Sequence, residues 1–398
     1  MHLRKACGGL VGPLLLGTTA SCAVRVGSTT ATEEPPPACT RLASELQLPL
    51  GAGSEAFSFL WDADHYVIAY TDPHTGNGDI YVAKLGADGS PIGSPVVVEA
   101  TPAKSDLPSL VKTSTGYLVV WQEGTAGLAV VAHALGPDAT PVGASIAVAS
   151  TQSSQSRPVL SHAPGGGIAV TWMDSFQGKG GVQVAMLDPS GKMVGPQRIS
   201  PSDMDGWPWV AGDDKTLGLV WSDDATGSYD VHFSPLDPSS LATSTGVSLR
   251  GKSTGNALLP RMTKTTFGFL AAWEDMRDAS NNQIYMALVD ETGARRGGGL
   301  VEEPGTGDAN WPNIAWTGRE AGIVYYQWRD SRPQIFMTFL DATGARVGGK
   351  PDLQVSNGAA GSSRYPDVAW TGKEFGVIYV DDRTGTAALW MQRVACSP

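Results

Sequence analysis

Residues 366–391 read PDVAWTGKEFGVIYVDDRTGTAALWM. A proline opens a short apolar strand, Thr371-Gly372 turns the chain, and a second strand runs to the aromatic Tyr379. Asp381 follows two positions later, then a polar loop and a third strand. Similar units recur from residue 55 onward with a period near 50. Pro108, Pro158, Pro208, Pro260, Pro312 and Pro366 are 50, 50, 52, 52 and 54 apart, and an aromatic comes thirteen or fourteen positions after each. With the first copy included, these anchors are Tyr70, Trp121, Trp172, Trp221, Trp273, Tyr325 and Tyr379. A fixed period of this size outranks local propensity, because each unit can bury its apolar face only against a neighbour.

Within a unit the strands are short and separated by turn residues, as in Asn313 to Trp316, Thr317-Gly318, then Ala321 to Tyr326. A third strand follows the polar loop, for example Ile284 to Val289, and a Gly or Asp pair such as Thr292-Gly293 leads to a fourth. Four strands per unit and seven units predict an all-β, seven-bladed propeller. Blade four departs from the pattern, since Asp237-Pro238-Ser239-Ser240 lacks the turn glycine. Composition agrees: 49 Gly, 27 Pro and 12 Trp in 398 residues suit many short strands around one sizeable core.

The last unit stops after three strands, at Cys396. The missing fourth is expected from the N-terminal side, where Leu46-Gln47-Leu48-Pro49-Leu50 precedes the first blade. Such pairing closes the ring and leaves no open sheet edge, and Pro49 is tolerated on an outermost strand. It also brings Cys39 to Cys396, so that a disulfide replaces the turn this blade lacks. Two free cysteines are the alternative.

The N-terminus carries Arg4 and Lys5, an apolar stretch from Ala6 to Gly17, and small residues before Cys22. This is the pattern of an export signal, too short to span a bilayer as a permanent helix. Thr19-Ala20-Ser21-Cys22 is similar to a bacterial lipoprotein signal with Cys22 as the lipidated residue; ordinary cleavage after Ala23 is the other reading. The expected organisation is a signal at 1–22, a Pro/Thr-rich tether at 23–41 and the propeller at 42–398. The protein is then exported, either lipid-anchored to the cell envelope or secreted, and meets a membrane only through the lipid. A net charge of −11 argues against nucleic acid as a partner, since such binding rests on basic patches.

Loops between blades and loops between second and third strands share one face of a propeller. Two features converge there. The first is the residue before each proline: Leu107, Arg157, Trp207, Leu259, Trp311 and Tyr365. The second is the loop after each anchor, with Asp275 and Arg277, Trp328 and Arg329, Asp381 and Arg383. Aromatic faces beside charged forks suit sugars or peptides. Trp207, Trp311, Tyr365, Trp328, Arg277, Arg329, Arg383, Asp275 and Asp381 are therefore the ligand-binding candidates. The bland reading is that a pre-proline aromatic is held extended and packs over the next blade. The acid two positions after the anchor recurs in nearly every unit, which favours a structural role. Six histidines show no metal-ligand spacing, and no nucleophile elbow, phosphate loop or C-x-x-C occurs. No catalytic residue, cofactor or metal is expected.

The units AAWEDMRDASNNQIYMALVDETGAR and VIYVDDRTGTAALWM resemble a repeat of exported bacterial propellers, aromatic-x-Asp-x-Arg followed by an Ile-Tyr strand. The resemblance is distant to sialidase-type propellers, whose Asp-box turns are replaced here by Asp-Glu-Thr-Gly and Asp-Ala-Thr-Gly. It implies a fold rather than an activity. The expected function is a monomeric, non-enzymatic binding or scaffold module for glycans or cell-wall material. A glycoside hydrolase or lyase using carboxylates of that face, and a structural subunit of an envelope protein complex, are the alternatives.

Overall fold

Each 50-residue unit folds as a four-stranded antiparallel sheet, and seven such sheets surround one axis. The computed structural model describes residues 39–396, apart from 126–127, 150–153, 176–180, 200–205, 225–226, 244–245, 252, 278–280, 303–306, 330, 348–350 and 359–360. The expected signal, Cys22 and most of the expected tether lie outside the described residues. The innermost strands are Phe57–Asp62, Ser105–Thr113, Ser154–Ala163, Gly206–Gly212, Ala257–Thr265, Ala309–Trp316 and Ser363–Trp370. Each lies against the next, and the last lies against the first, so the ring is closed. No helix among the described residues is long and apolar enough to cross a membrane.

Second strands read as continuous apolar runs because both of their faces are covered by neighbouring blades. Phe375–Asp381, for instance, is buried along its whole length. The seven anchors are all at most 3% exposed, and each packs in the apolar cluster between its own blade and the preceding one. A buried indole needs a hydrogen-bond partner. Trp121, Trp221 and Trp273 donate Nε1–H to Glu123, Asp223 and Asp275 at 3.2, 3.1 and 2.8 Å. The acid two positions after the anchor is thus placed to accept from the anchor itself.

The outermost strand of the last blade comes from the other end of the chain, as expected, but from an earlier segment. It is Cys39–Gln47, paired antiparallel to Ala388–Cys396, with Cys39 directly opposite Cys396 and bonded to it. Pro49 falls beyond the strand, while Leu48 N–H still donates to Leu389 O at 2.8 Å. In blade four, Leu241 occupies the positive-φ turn position (φ 51°) that Gly191, Gly293 and Gly344 take in other blades. The turn is held by Asp237, which accepts from Ser239 and Ser240.

Candidate functional site at the axial mouth

The innermost strands of blades two to seven all bulge at the residue preceding the proline. Register shifts fall at Asp106/Ser109, Ser156/Val159, Gly206/Trp209, Leu258/Arg261, Asn310/Asn313 and Arg364/Asp367. Leu107, Arg157, Trp207, Leu259, Trp311 and Tyr365 sit there with φ between 47° and 56°. This corrects the expectation that they are extended. A side chain at positive φ before a proline opposes both local preferences and costs on the order of 1–3 kcal/mol per position, so surrounding contacts must hold it. The proline contributes by removing a donor that the bulge takes out of the ladder. At three of the six positions the N–H of the residue before the proline is met by a side chain. Leu107 donates to Asp106 Oδ1 at 2.8 Å, Arg157 to Gln122 Oε1 at 3.1 Å, and Trp311 to Glu274 Oε1 at 2.7 Å. Gln122 and Glu274 each belong to the preceding blade. The innermost strand of blade one, Phe57–Asp62, has no proline and no bulge.

The bulges surround a cavity of about 400 Å³ whose wall includes Arg157, Trp207, Trp209, Arg261, Trp311 and Tyr365. This size is ordinary for a small-ligand site. Trp311 and Tyr365 meet edge-to-face at 5.0 Å. The Arg261 guanidinium lies 4.4 Å from the Trp209 ring centroid and 5.2 Å from that of Trp311. All four rings are half-buried and present part of their surface to the cavity.

A second column lies one residue past each proline. In blades one, two, six and seven it joins neighbouring blades. Ser58 Oγ accepts from Leu110 N–H at 3.2 Å and Ser109 Oγ from Leu160 N–H at 3.0 Å. Asn313 Nδ2 donates to Pro366 O at 2.8 Å, and the Asp367 carboxylate accepts from the backbone of Val368 and Phe59. In blades three, four and five the same column holds Val159, Trp209 and Arg261, and all seven members line the cavity.

Electrostatically the mouth is a place of reluctant charges. Burial lowers Arg261 to about 10, and the charge of Arg157 adds to this. Arg157 is also lowered, chiefly by burial. Burial raises Asp367 to about 6 despite the Val368 N–H and the attraction of Arg261. Glu274 rises to about 7 for the same reason, opposed by the Trp311 N–H it accepts.

Of the sequence candidates, Trp207, Trp311 and Tyr365 meet at this cavity. The others do not. Asp275 is fully buried and bonds Arg250 and Arg277, and Arg277 stacks 4.0 Å over Tyr285. Arg329 donates to Gln327 Oε1 at 2.7 Å and stacks over Phe336. Arg383 bonds Asp381 at 2.7 Å and Glu45, and stacks 4.2 Å over Trp390. Trp328 is 46% exposed and stands apart from the cavity wall. Trp209, Arg261 and Asp367, and the supports Gln122 and Glu274, were not among the candidates. For Trp209, Arg261 and Asp367 the signal was the column itself. Ser109, Val159, Trp209, Arg261, Asn313 and Asp367 change chemistry from blade to blade at one fixed offset of a repeat that otherwise keeps its residue types.

No protein-family model matches the chain, and no curated protein does. Among solved structures it is similar to Pyrococcus horikoshii acylaminoacyl peptidase (uncomplexed), with a TM-score of 0.53 at 7% identity over 86% of this chain and 51% of that one. Trypanosoma rangeli sialidase in complex with the inhibitor DANA gives 0.51 at 9% identity over 90% and 60%. A prolyl endopeptidase gives 0.52 at 13% identity over 85% and 47%. The chain spans roughly half of each of these proteins, and identities this low show the propeller fold alone.

Proposed function

We propose that the protein is a binding module that takes a carbohydrate at the axial mouth. The observation that carries this reading is the convergence of Trp207, Trp209, Trp311 and Tyr365 on one cavity of about 400 Å³, three of them or their neighbours on strained backbone. Half-buried aromatic rings offer flat apolar surface to the C–H faces of a sugar, and the polar groups between them can take hydroxyls. The Cys39–Cys396 disulfide supports action outside the cytoplasm. A glycan array probed with wild type and with the combined Trp207→Ala, Trp311→Ala, Tyr365→Ala variant tests the site. Loss of the wild-type signals is expected; equal signals from both proteins contradict it.

A further inference from the structure

We infer that Arg157 and Arg261 form an anion-binding subsite at the axial mouth, and that the carbohydrate taken there carries a carboxylate or sulfate group. This rests on the carbohydrate reading above and narrows it to acidic sugars. The argument starts from what the other charged groups at the mouth already do. Asp106 accepts from Leu107 N–H at 2.8 Å and pairs with Lys104 at 3.2 Å. Asp367 accepts backbone N–H groups from two blades, and Glu274 accepts from Trp311 N–H and from Asn282 Nδ2. Glu55 stands exposed at the lip. These carboxylates hold the ring together or face water.

The two arginines have no such duty. Among the described residues the Arg157 guanidinium makes no hydrogen bond and no ion pair, although its backbone is held at φ 53° by Gln122. Arg261 donates Nη1–H to the adjacent Pro260 O at 3.2 Å, while its Nε–H is buried without a partner. That Nε has no exposed surface, so an incoming carboxylate or sulfate meets Arg261 at Nη2, and a second parallel bond through Nε needs the neighbouring rings to give way. Asp106 attracts Arg157, and Asp367 and Glu274 attract Arg261, but none of these carboxylates bonds either guanidinium, and the two cations repel one another. The fold nevertheless places both at the same cavity. An anion supplied by the ligand would meet both guanidiniums at once, with the Trp209 and Trp311 rings packed near that of Arg261.

The test uses two matched pairs of probes: oligogalacturonate with its methyl ester, and a sulfated galactan oligomer with its desulfated form. Calorimetric titration of the full chain is expected to show at least tenfold tighter binding of the charged member in one pair, and the pair identifies the anion. Arg157→Met and Arg261→Met, each checked for a wild-type denaturation midpoint, should erase most of that ratio and leave affinity for the neutral member within about twofold. Should one variant misfold, the other reports alone. Equal affinity of charged and neutral members, with loss of both in Trp311→Ala, overturns the anion subsite and leaves the carbohydrate reading standing. A charged preference that survives both arginine variants also overturns it. Binding of none of the four probes overturns both readings.

Discussion

Arg383 and Arg261 are both half-buried arginines of the same protein, and they are treated in opposite ways. Arg383 bonds Asp381 through two nitrogens, bonds Glu45 of the N-terminal strand through a third, and lies on Trp390. Burial alone disfavours its charge, yet those carboxylates hold its pKa above the ordinary value. Arg261 lies against the Trp209 and Trp311 rings, is attracted by Asp367 and Glu274 without an ion pair to either, and burial lowers its pKa to about 10. The first region is the latch that ties the borrowed strand to the last blade. The second is the mouth of the axis. The difference separates a charge satisfied within the chain, which belongs to the architecture, from one left without an ion pair, on which the proposed anion subsite rests.

The latch should carry the larger stability effects. Removing the disulfide with Cys39→Ser and Cys396→Ser opens a loop of 357 residues. In the chain-entropy picture this costs about 5 kcal/mol, read as a lower denaturation midpoint under non-reducing conditions. Arg383→Met leaves Glu45 and Asp381 buried and unpaired, at 3% and 1% exposure. A loss of about 3–5 kcal/mol in urea is expected. A loss below about 1 kcal/mol would break the comparison by showing that the latch network is dispensable.

The mouth should show its effects in binding and in pH response. Trp311→Ala is expected to weaken carbohydrate binding by tenfold or more, with retained secondary structure by circular dichroism. For pH, the sign follows from the direction of the shifts. Asp367 and Glu274 have folded pKa values raised to about 6 and about 7. The stability they contribute is fully present below their unfolded values near 4 and is lost as pH rises through 6 to 7. Asp381 acts oppositely: Arg383 and Ser363 hold its pKa down against burial, so its contribution is lost as pH falls. The combined Asp367→Asn, Glu274→Gln variant should therefore show a flatter urea midpoint between pH 4 and 8 than wild type. An unchanged slope would contradict the assignment of reluctant charge to these two groups.

The architecture was legible because repetition amplifies weak local patterns. Seven anchors at one offset predict seven interfaces, and each anchor does fill one. Closure and the disulfide were legible from a missing strand and two terminal cysteines. The exact borrowed strand was not. Cys39–Gln47 is outermost, its residues are half-buried or exposed throughout, and Ala43 kinks it at φ 57°. Such a strand carries little apolar periodicity to read, whereas Leu46 to Leu50 carries more. Half of the candidate site was legible: the pre-proline column drew attention to Trp207, Trp311 and Tyr365. The column after the proline escaped notice, because its role emerges only when the bulge turns both residues toward the axis. The arginines of the loops drew attention by charge, but charge in a sequence does not say whether a partner lies one strand away.

The most direct test sets Arg261→Met beside Arg383→Met, each followed by urea denaturation and by titration with the tighter charged oligosaccharide. Arg261→Met is expected to lose binding while its stability stays within about 1 kcal/mol of wild type, since an unpartnered buried cation contributes little to folding. Arg383→Met is expected to lose stability while the fraction still folded binds as wild type does. Should Arg261→Met unfold as readily as Arg383→Met and bind undiminished while folded, the mouth would be architecture like the latch, and the account would fail.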